Sequence, residues 1–236
     1  LVVETARGSV RARKTVLAMK ARPAAVPELA PALFNISSDD AASLPMAAQL
    51  EKAGYRRGPL MSDSRVFVTG WRVMRDGRLN VGVTGGQIGF GGIVDQRFDR
   101  PSPRVEAMRA ALLVGHPALA DFPLASAWNG PIDRTDSGLP LFGRLPGSPD
   151  ILYGYGFSGN GISMTYLGGQ IVTSLLLGRD DQWANLPVVR PVMRGFPPEP
   201  FRFVGAHFVR GAVRRRDRME HEGRKPDPVT AWMAGL

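Results

Sequence analysis

The sequence predicts a mixed α/β fold with an α+β part, and three stretches carry that expectation. Residues 64–84 alternate apolar and polar side chains on both sides of Asp76-Gly77, the dipeptide that favours a tight hairpin turn. Residues 139–145 and 151–155 read as short strands rich in apolar residues. The second of these runs through Gly154, Gly156 and Gly159 into residues 160–177, apolar and long enough for a helix. With 236 residues, 44% of them hydrophobic, the chain can build a sizeable core in one or two domains.

Along the chain, Val2 and Val3 start a strand, Arg7-Gly8 turns, and Val10 to Leu17 reads as the return, its VLAM run suiting a strand buried on both faces. Residues 20–36 hold Pro23, Pro27 and Pro31 without periodicity and read as a crossing segment. Residues 37–60 are mixed, with a short helix around Pro45–Lys52. The hairpin of residues 64–74 and its return LNVGVT follow, then the loop GGQIGFGG, residues 85–92. A helix is expected over 102–115, with Val105, Met108, Leu112 and Leu113 on one face and Gly115 as its stop. Residues 123–132 form a further strand, and the proline-rich stretch beyond Arg179 ends in a weak helical pattern over 205–222.

Composition sets limits. The absence of cysteine excludes disulfides, cysteine metal ligands and cysteine-linked cofactors within these residues, and fits a cytoplasmic protein. No stretch approaches the roughly 18 uninterrupted apolar residues of a membrane span, and no secretory signal pattern opens the chain. It begins on Leu1 inside a strand-like pattern, so a piece of a longer protein is expected. The basic charge sits at the ends: six Lys/Arg against one Glu in residues 1–22, and eight Lys/Arg against four acids in residues 201–236. These runs lack interleaved aromatics or a reading motif, so a solvated basic tail over residues 191–236 is preferred to a polyanion-binding module, and no nucleic-acid partner is expected.

The chemistry-bearing stretch is GYGFSGNGISMTYLGGQ, starting at Gly154. A strand, a glycine turn and a helix make an anion-ready element: the first-turn N–H groups lack intrahelical partners and the helix dipole adds partial positive charge. Ser158 is placed to cap the helix, and Gly168-Gly169 leave its middle bare for close packing. As the opening of a dinucleotide-binding unit the match is weak. Asp180 and Asp181 lie at the spacing of the ribose-binding acid, but no second strand precedes them. His116, His207 and His221 lack metal-ligand spacing, and there is no G-x-S-x-G elbow or Walker lysine.

The ordered set TARGSVRARKTVLA, VTGWRVMRDGRLNVGVTGG and WNGPIDRTDSGLPLFGRLPGSPDILYGYGFSGNGISMTYLGG resembles the C-terminal two-thirds of the FAD-dependent amine and amino-acid oxidases, the group of D-amino-acid, glycine and sarcosine oxidases. The likeness is strongest to its gamma-glutamylputrescine oxidase-like bacterial branch. The resemblance implies an incomplete FAD/NAD(P)-binding domain interleaved with an antiparallel-sheet substrate domain: residues 1–22 and 125–190 in the former, 23–124 in the latter, 191–236 as the tail. It implies non-covalent FAD, with Gly156, Phe157, Ser158, Gly159, Asn160, Gly161 and Ile162 meeting the isoalloxazine ring. The pyrophosphate half-site would precede Leu1, so these residues alone are expected to be inactive.

The resemblance further implies an amine or amino acid as the small-molecule partner, oxidised at its C–N bond by hydride transfer to flavin, with a dehydrogenase using an acceptor other than oxygen as the alternative. A sheet over the flavin would wall the substrate pocket, with Trp71 and Arg72 as its candidates. Ile132 falls where amino-acid-using members carry a carboxylate-binding arginine. Arg134, two residues on, is expected to face the other way, which favours an amine. No metal ligand and no catalytic side chain is assigned.

Overall fold

The computed structural model describes residues 1–192 and 195–235; Met193, Arg194 and Leu236, within the expected tail, lie outside the described residues. In chain order the elements are β1 (Val2–Thr5), β2 (Gly8–Arg11), β3 (Thr15–Leu17), β4 (Phe34–Ser43), α1 (Ala47–Lys52), β5 (Met61–Ser62), β6 (Thr69–Val73), β7 (Leu79–Val83), α2 (Val105–Leu113), α3 (Pro117–Ala120), β8 (Leu124–Arg134), β9 (Leu141–Leu145), β10 (Ser148–Tyr155), α4 (Gly161–Leu177), α5 (Phe201–His221) and α6 (Pro228–Ala234). They fall into two compact units, one of residues 1–35, 89–94 and 132–202, the other of residues 36–88, 95–131 and 203–236. Residues 23–35 thus group with the first unit, and residues 203–236 with the second.

In the first unit, β1 and β2 form an exposed antiparallel hairpin with Val3 opposite Val10. The return strand expected from Val10 to Leu17 is broken. Ala12 N donates to Leu1 O at 3.1 Å and closes the hairpin, and β3 then pairs parallel with β10. Among the described residues β3 is the edge of the sheet β3-β10-β9, and VLAM is not buried on both faces: Ala18 is exposed and Met19 is 40% exposed. The core joins Tyr153, Tyr155, Leu141 and Leu145 to Leu29 and Leu33. Those two leucines come from the proline-rich segment, which forms two short 3-10 turns (Arg22–Ala25 and Ala30–Ala32) rather than a bare crossing. Burial pushes the Tyr153 hydroxyl up to about 12, and it donates to Arg190 O at 2.8 Å.

The second unit holds a five-stranded sheet in the order β5-β6-β7-β4-β8. Its register sets Trp71 opposite Val81 and Val81 opposite Ala41. The side-chain period of two puts Trp71, Val73, Leu79, Val81, Val83 and Ala41 on one face, against Met108 and Leu112 of α2, Leu50 of α1 and Leu119 of α3. The expected helix at 102–115 is present in its middle, but Leu113 is 59% exposed rather than on the buried face. Residues 64–68 do not extend β6. The Asp217 carboxylate takes the N–H groups of Val66 and Phe67 at 3.1 and 3.2 Å, so those groups have no strand partner. Nor are residues 203–221 a solvated tail: Ala212, Val213, Asp217 and Met219 are buried.

The ten-residue β4 is absent from the sequence reading because its buried positions are largely polar: Asn35, Ser37, Asp39 and Ser43 lie at 0% exposure. Asp39 accepts from Ser37 Oγ at 2.9 Å, Ser102 Oγ at 2.8 Å and Arg104 Nη1 at 3.0 Å. Arg104 also donates to Thr84 O at 3.1 Å, tying the entry of α2 to the end of β7. Removing one partner of such a pair leaves a buried charge without compensation, so D39A is expected to destabilise the protein by about 3–5 kcal/mol. A urea melt checks this; an unshifted midpoint contradicts it.

Candidate functional site

The site begins at the end of β10 in the first unit. There β8 delivers Asp133, 2% exposed, beside the glycine turn. Its Oδ2 accepts from Gly156 N at 2.5 Å and its backbone carbonyl from Ser158 N at 2.9 Å. Two consecutive elements, the strand end and the turn, are thereby fixed to one residue. Burial raises the Asp133 carboxyl above the ordinary range, opposed by the Gly156 N–H and by Lys20.

The turn demands glycine at its first position. Gly156 has φ +75°, and a Cβ there would stand 2.3 Å from Thr135 Cγ2. Thr135 is itself held, donating from Oγ1 to Leu139 O at 2.7 Å. Phe157 turns back to meet Phe142 edge-on at 5.9 Å. Gly168 admits the same Phe142 ring, with a would-be Cβ 3.2 Å from Cζ, whereas Gly169 has nothing within 4 Å. Close packing therefore uses only the first of the two mid-helix glycines.

Ser158 does not cap α4. It adopts φ +52° and its hydroxyl donates to Gly156 O at 3.2 Å. The N-cap is Asn160, which makes no side-chain cap bond, and the first turn carries no acid. Gly159 and Asn160 are exposed, and Ile162 is 94% exposed. The structure thus places Gly156, Phe157, Ser158, Gly159 and Asn160 in the turn and Gly161 and Ile162 at the start of α4, a helix N-terminus with no side-chain cap and no acid in its first turn. Such a terminus favours an electronegative group.

Arg134 corrects an expectation. Strand β8 runs unbroken through Ile132 and Arg134, and residues two apart on a strand share a face, so Arg134 lies on the side of Ile132 and not opposite it. Ile132 Cδ1 lies 3.8 Å from the position of a Cβ on Gly159, which brings that face alongside the turn. Arg134 is half-buried, and burial lowers its pKa. Among the described residues no salt bridge to it is found.

In the second unit, Trp71 and Arg72 project from opposite faces of β6. Trp71, 6% exposed, packs in the helix-covered core with its ring 4.2 Å from that of His116. His116 also bonds Tyr55 OH through Nδ1 at 2.8 Å. Arg72 lies on the other face, which also carries Gly70, Asn80, Gly82 and Asp40. Sequence reading missed Asp40, whose carboxyl is raised by burial and then by neighbouring Asp39. The signal for it is its alternation with Asp39 on a strand that went unrecognised. Among the described residues no cluster of His, Cys, Asp or Glu could hold a metal ion, and no helix is long and apolar enough to cross a membrane.

The chain belongs to the FAD dependent oxidoreductase (DAO) family, whose model matches residues 2–175. It is 28% identical over 185 residues to the probable oxidoreductase OrdL of Haemophilus influenzae, covering 76% of this chain and 39% of that protein. It is 29% identical over 191 residues to the gamma-glutamylputrescine oxidoreductase of Escherichia coli, covering 79% and 42%. The chain therefore spans about two-fifths of the length of these curated relatives. Its fold is that of Amadoriase I, a fructosyl amine oxidoreductase from Aspergillus fumigatus (TM-score 0.60, 23% identity, 79% of this chain and 45% of the other), and of a glycine oxidase from Geobacillus kaustophilus (0.59, 20%, 83% and 49%).

G156A is expected to cost about 1–3 kcal/mol through left-handed strain and the Thr135 clash. Part of that loss should return in G156A/T135S, which removes Cγ2 and keeps the hydroxyl; equal denaturation midpoints for the two variants would refute the clash. The raised Asp133 carboxyl means that the folded protein holds this proton more tightly than the unfolded chain. Its contribution is fully present at pH below about 4 and is lost as pH rises through the folded value. Wild-type stability should accordingly fall more steeply than that of D133N between acid and neutral pH, measured by urea melts across that range.

Proposed function

We propose that this chain is part of an enzyme that oxidises a C–N bond of an amine or amino acid with FAD. The observation that carries the reading is the glycine turn and uncapped, acid-free N-terminus of α4, in a chain that belongs to the FAD dependent oxidoreductase family. When bound, FAD supplies the acceptor for the hydride that leaves the carbon beside nitrogen. The residues of this chain do the rest. The N–H groups at Gly161 and Ile162 favour negative charge at the isoalloxazine edge, and Asn160 offers a further donor from its exposed side chain. Asp133 holds the turn so that these groups need no reorganisation.

For the substrate, Arg134 of the first unit is the proposed contact. Arg134 suits a carboxylate, which a guanidinium grips through two parallel N–H bonds. This restores an amino acid as a substrate beside a simple amine. In the second unit, Arg72, Asn80 and Asp40 give the open face of the β6–β7–β4 strands its polarity. Trp71, packed in the core, is proposed to support that strand from behind.

The test is the visible absorption of the full-length protein with putrescine, gamma-glutamylputrescine, sarcosine and glycine under argon. Bleaching of a flavin band by one of them is expected; absence of a flavin band even after incubation with FAD overturns the reading. Reoxidation by air with release of peroxide would identify oxygen as acceptor. R134Q should raise KM for carboxylate-bearing substrates about tenfold to a hundredfold, from the loss of one or two charge-assisted bonds, and leave putrescine unchanged. Equal effects on both substrate types would remove Arg134 from the substrate site.

A further inference from the structure

The second unit contains a cavity of about 390 Å³ whose charge is out of balance. Its wall combines Ala107, Ala110 and Ala111 of α2 with Val83 of β7, an aliphatic floor. Its rim carries Arg65, Arg104, Arg214, Arg218 and His221, against Asp217 as the one carboxylate of the lining. Two of the arginines are accounted for. Arg65 pairs with Asp63 and bonds Thr69 Oγ1 at 2.6 Å, and Arg104 pairs with Asp39. Asp217 is committed to the backbone N–H groups of Val66 and Phe67.

Arg214 and Arg218, one helical turn apart on α5, are different. Arg214 donates to Gly85 O at 2.9 Å, a neutral acceptor, and among the described residues neither arginine has a carboxylate at salt-bridge distance. Burial lowers the Arg214 pKa, and the nearby Arg210 and Arg104 lower it further, with Asp39 opposing in part. Arg210 in turn has a carbonyl, Gly86 O, and the His207 ring as its partners. Cations gathered along one groove repel one another, and an anion between them lowers the free energy. The guanidinium fork matches a planar or tetrahedral oxyanion, and the volume falls in the range of small-molecule sites.

We propose that this cavity binds a small aliphatic oxyanion, its head held by Arg214 and Arg218 and its hydrocarbon part laid on Ala110 and Val83. Every residue of the site belongs to the second unit, so the proposal stands independently of the flavin reading. The head group is a carboxylate or a phosphate monoester. The aliphatic floor distinguishes either from a bare inorganic ion.

The test measures the melting temperature of the intact protein at constant ionic strength, titrated with hexanoate, butyl phosphate and inorganic phosphate against a chloride baseline. A saturable rise with hexanoate or butyl phosphate, larger than with inorganic phosphate, is expected, and the stronger of the two identifies the head group. R218Q changes an exposed side chain with no hydrogen bond among the described residues, so its folding is not at risk; it should weaken the response about tenfold or more, as should R214Q. A110L fills the floor and should abolish the advantage of the alkyl chain while inorganic phosphate still acts. A response no greater than that of chloride, or R218Q and R214Q both titrating like wild type, overturns the proposal.

Discussion

One buried carboxylate governs the turn between β10 and α4. Asp133 receives the Gly156 amide on its side chain and the Ser158 amide on its backbone, and every later feature of the turn follows from that double hold. With Gly156 fixed, the chain must pass Thr135 in a left-handed conformation. With Ser158 fixed, its hydroxyl is drawn inward and is lost as a cap. The helix then starts at Gly161 without a side chain across its end. The Gly156 amide offsets only part of the cost of burying the ion, so the exchange sharpens geometry more than it adds stability.

The second unit is organised by a related device. Asp39 collects two hydroxyls and a guanidinium and so fastens β4, the entry to α2 and the end of β7. This leaves a sheet with two unlike faces. One is apolar and covered by three helices. The other is made of glycine, asparagine and single charges, a surface suited to contact with something other than its own core.

What could be read from residues alone follows from how each element earns its stability. The hairpin around Asp76-Gly77, the helix after the glycine turn and the strand before it were legible because apolar periodicity and turn chemistry agree there. The strand β4 was not, since Asn35, Ser37, Asp39 and Ser43 fill the positions where periodicity looks for aliphatics. Residues 64–68 alternate like a strand, yet the carboxylate of Asp217, some 150 positions later in the chain, takes their amides. The turn before α4 was legible from its glycines, whereas the placement of Asp133, Arg134 and Asp40 depends on strand register that no local pattern reveals. The arginines of α5 looked like solvated charge because helical spacing alone does not show that Gly85 and Gly86 offer them carbonyls.

The polar interior of β4 also shapes how this sequence can drift. Serine and aspartate on a strand are ordinarily among the freely exchangeable residues of a protein surface. Here Ser37, Asp39 and Ser102 form a mutually dependent set, so neutral variation at one is constrained by the identity of the others. A saturation-mutagenesis map would show these small hydrophilic positions as intolerant as Leu79 or Val81, with substitutions accepted in compensating combinations rather than singly.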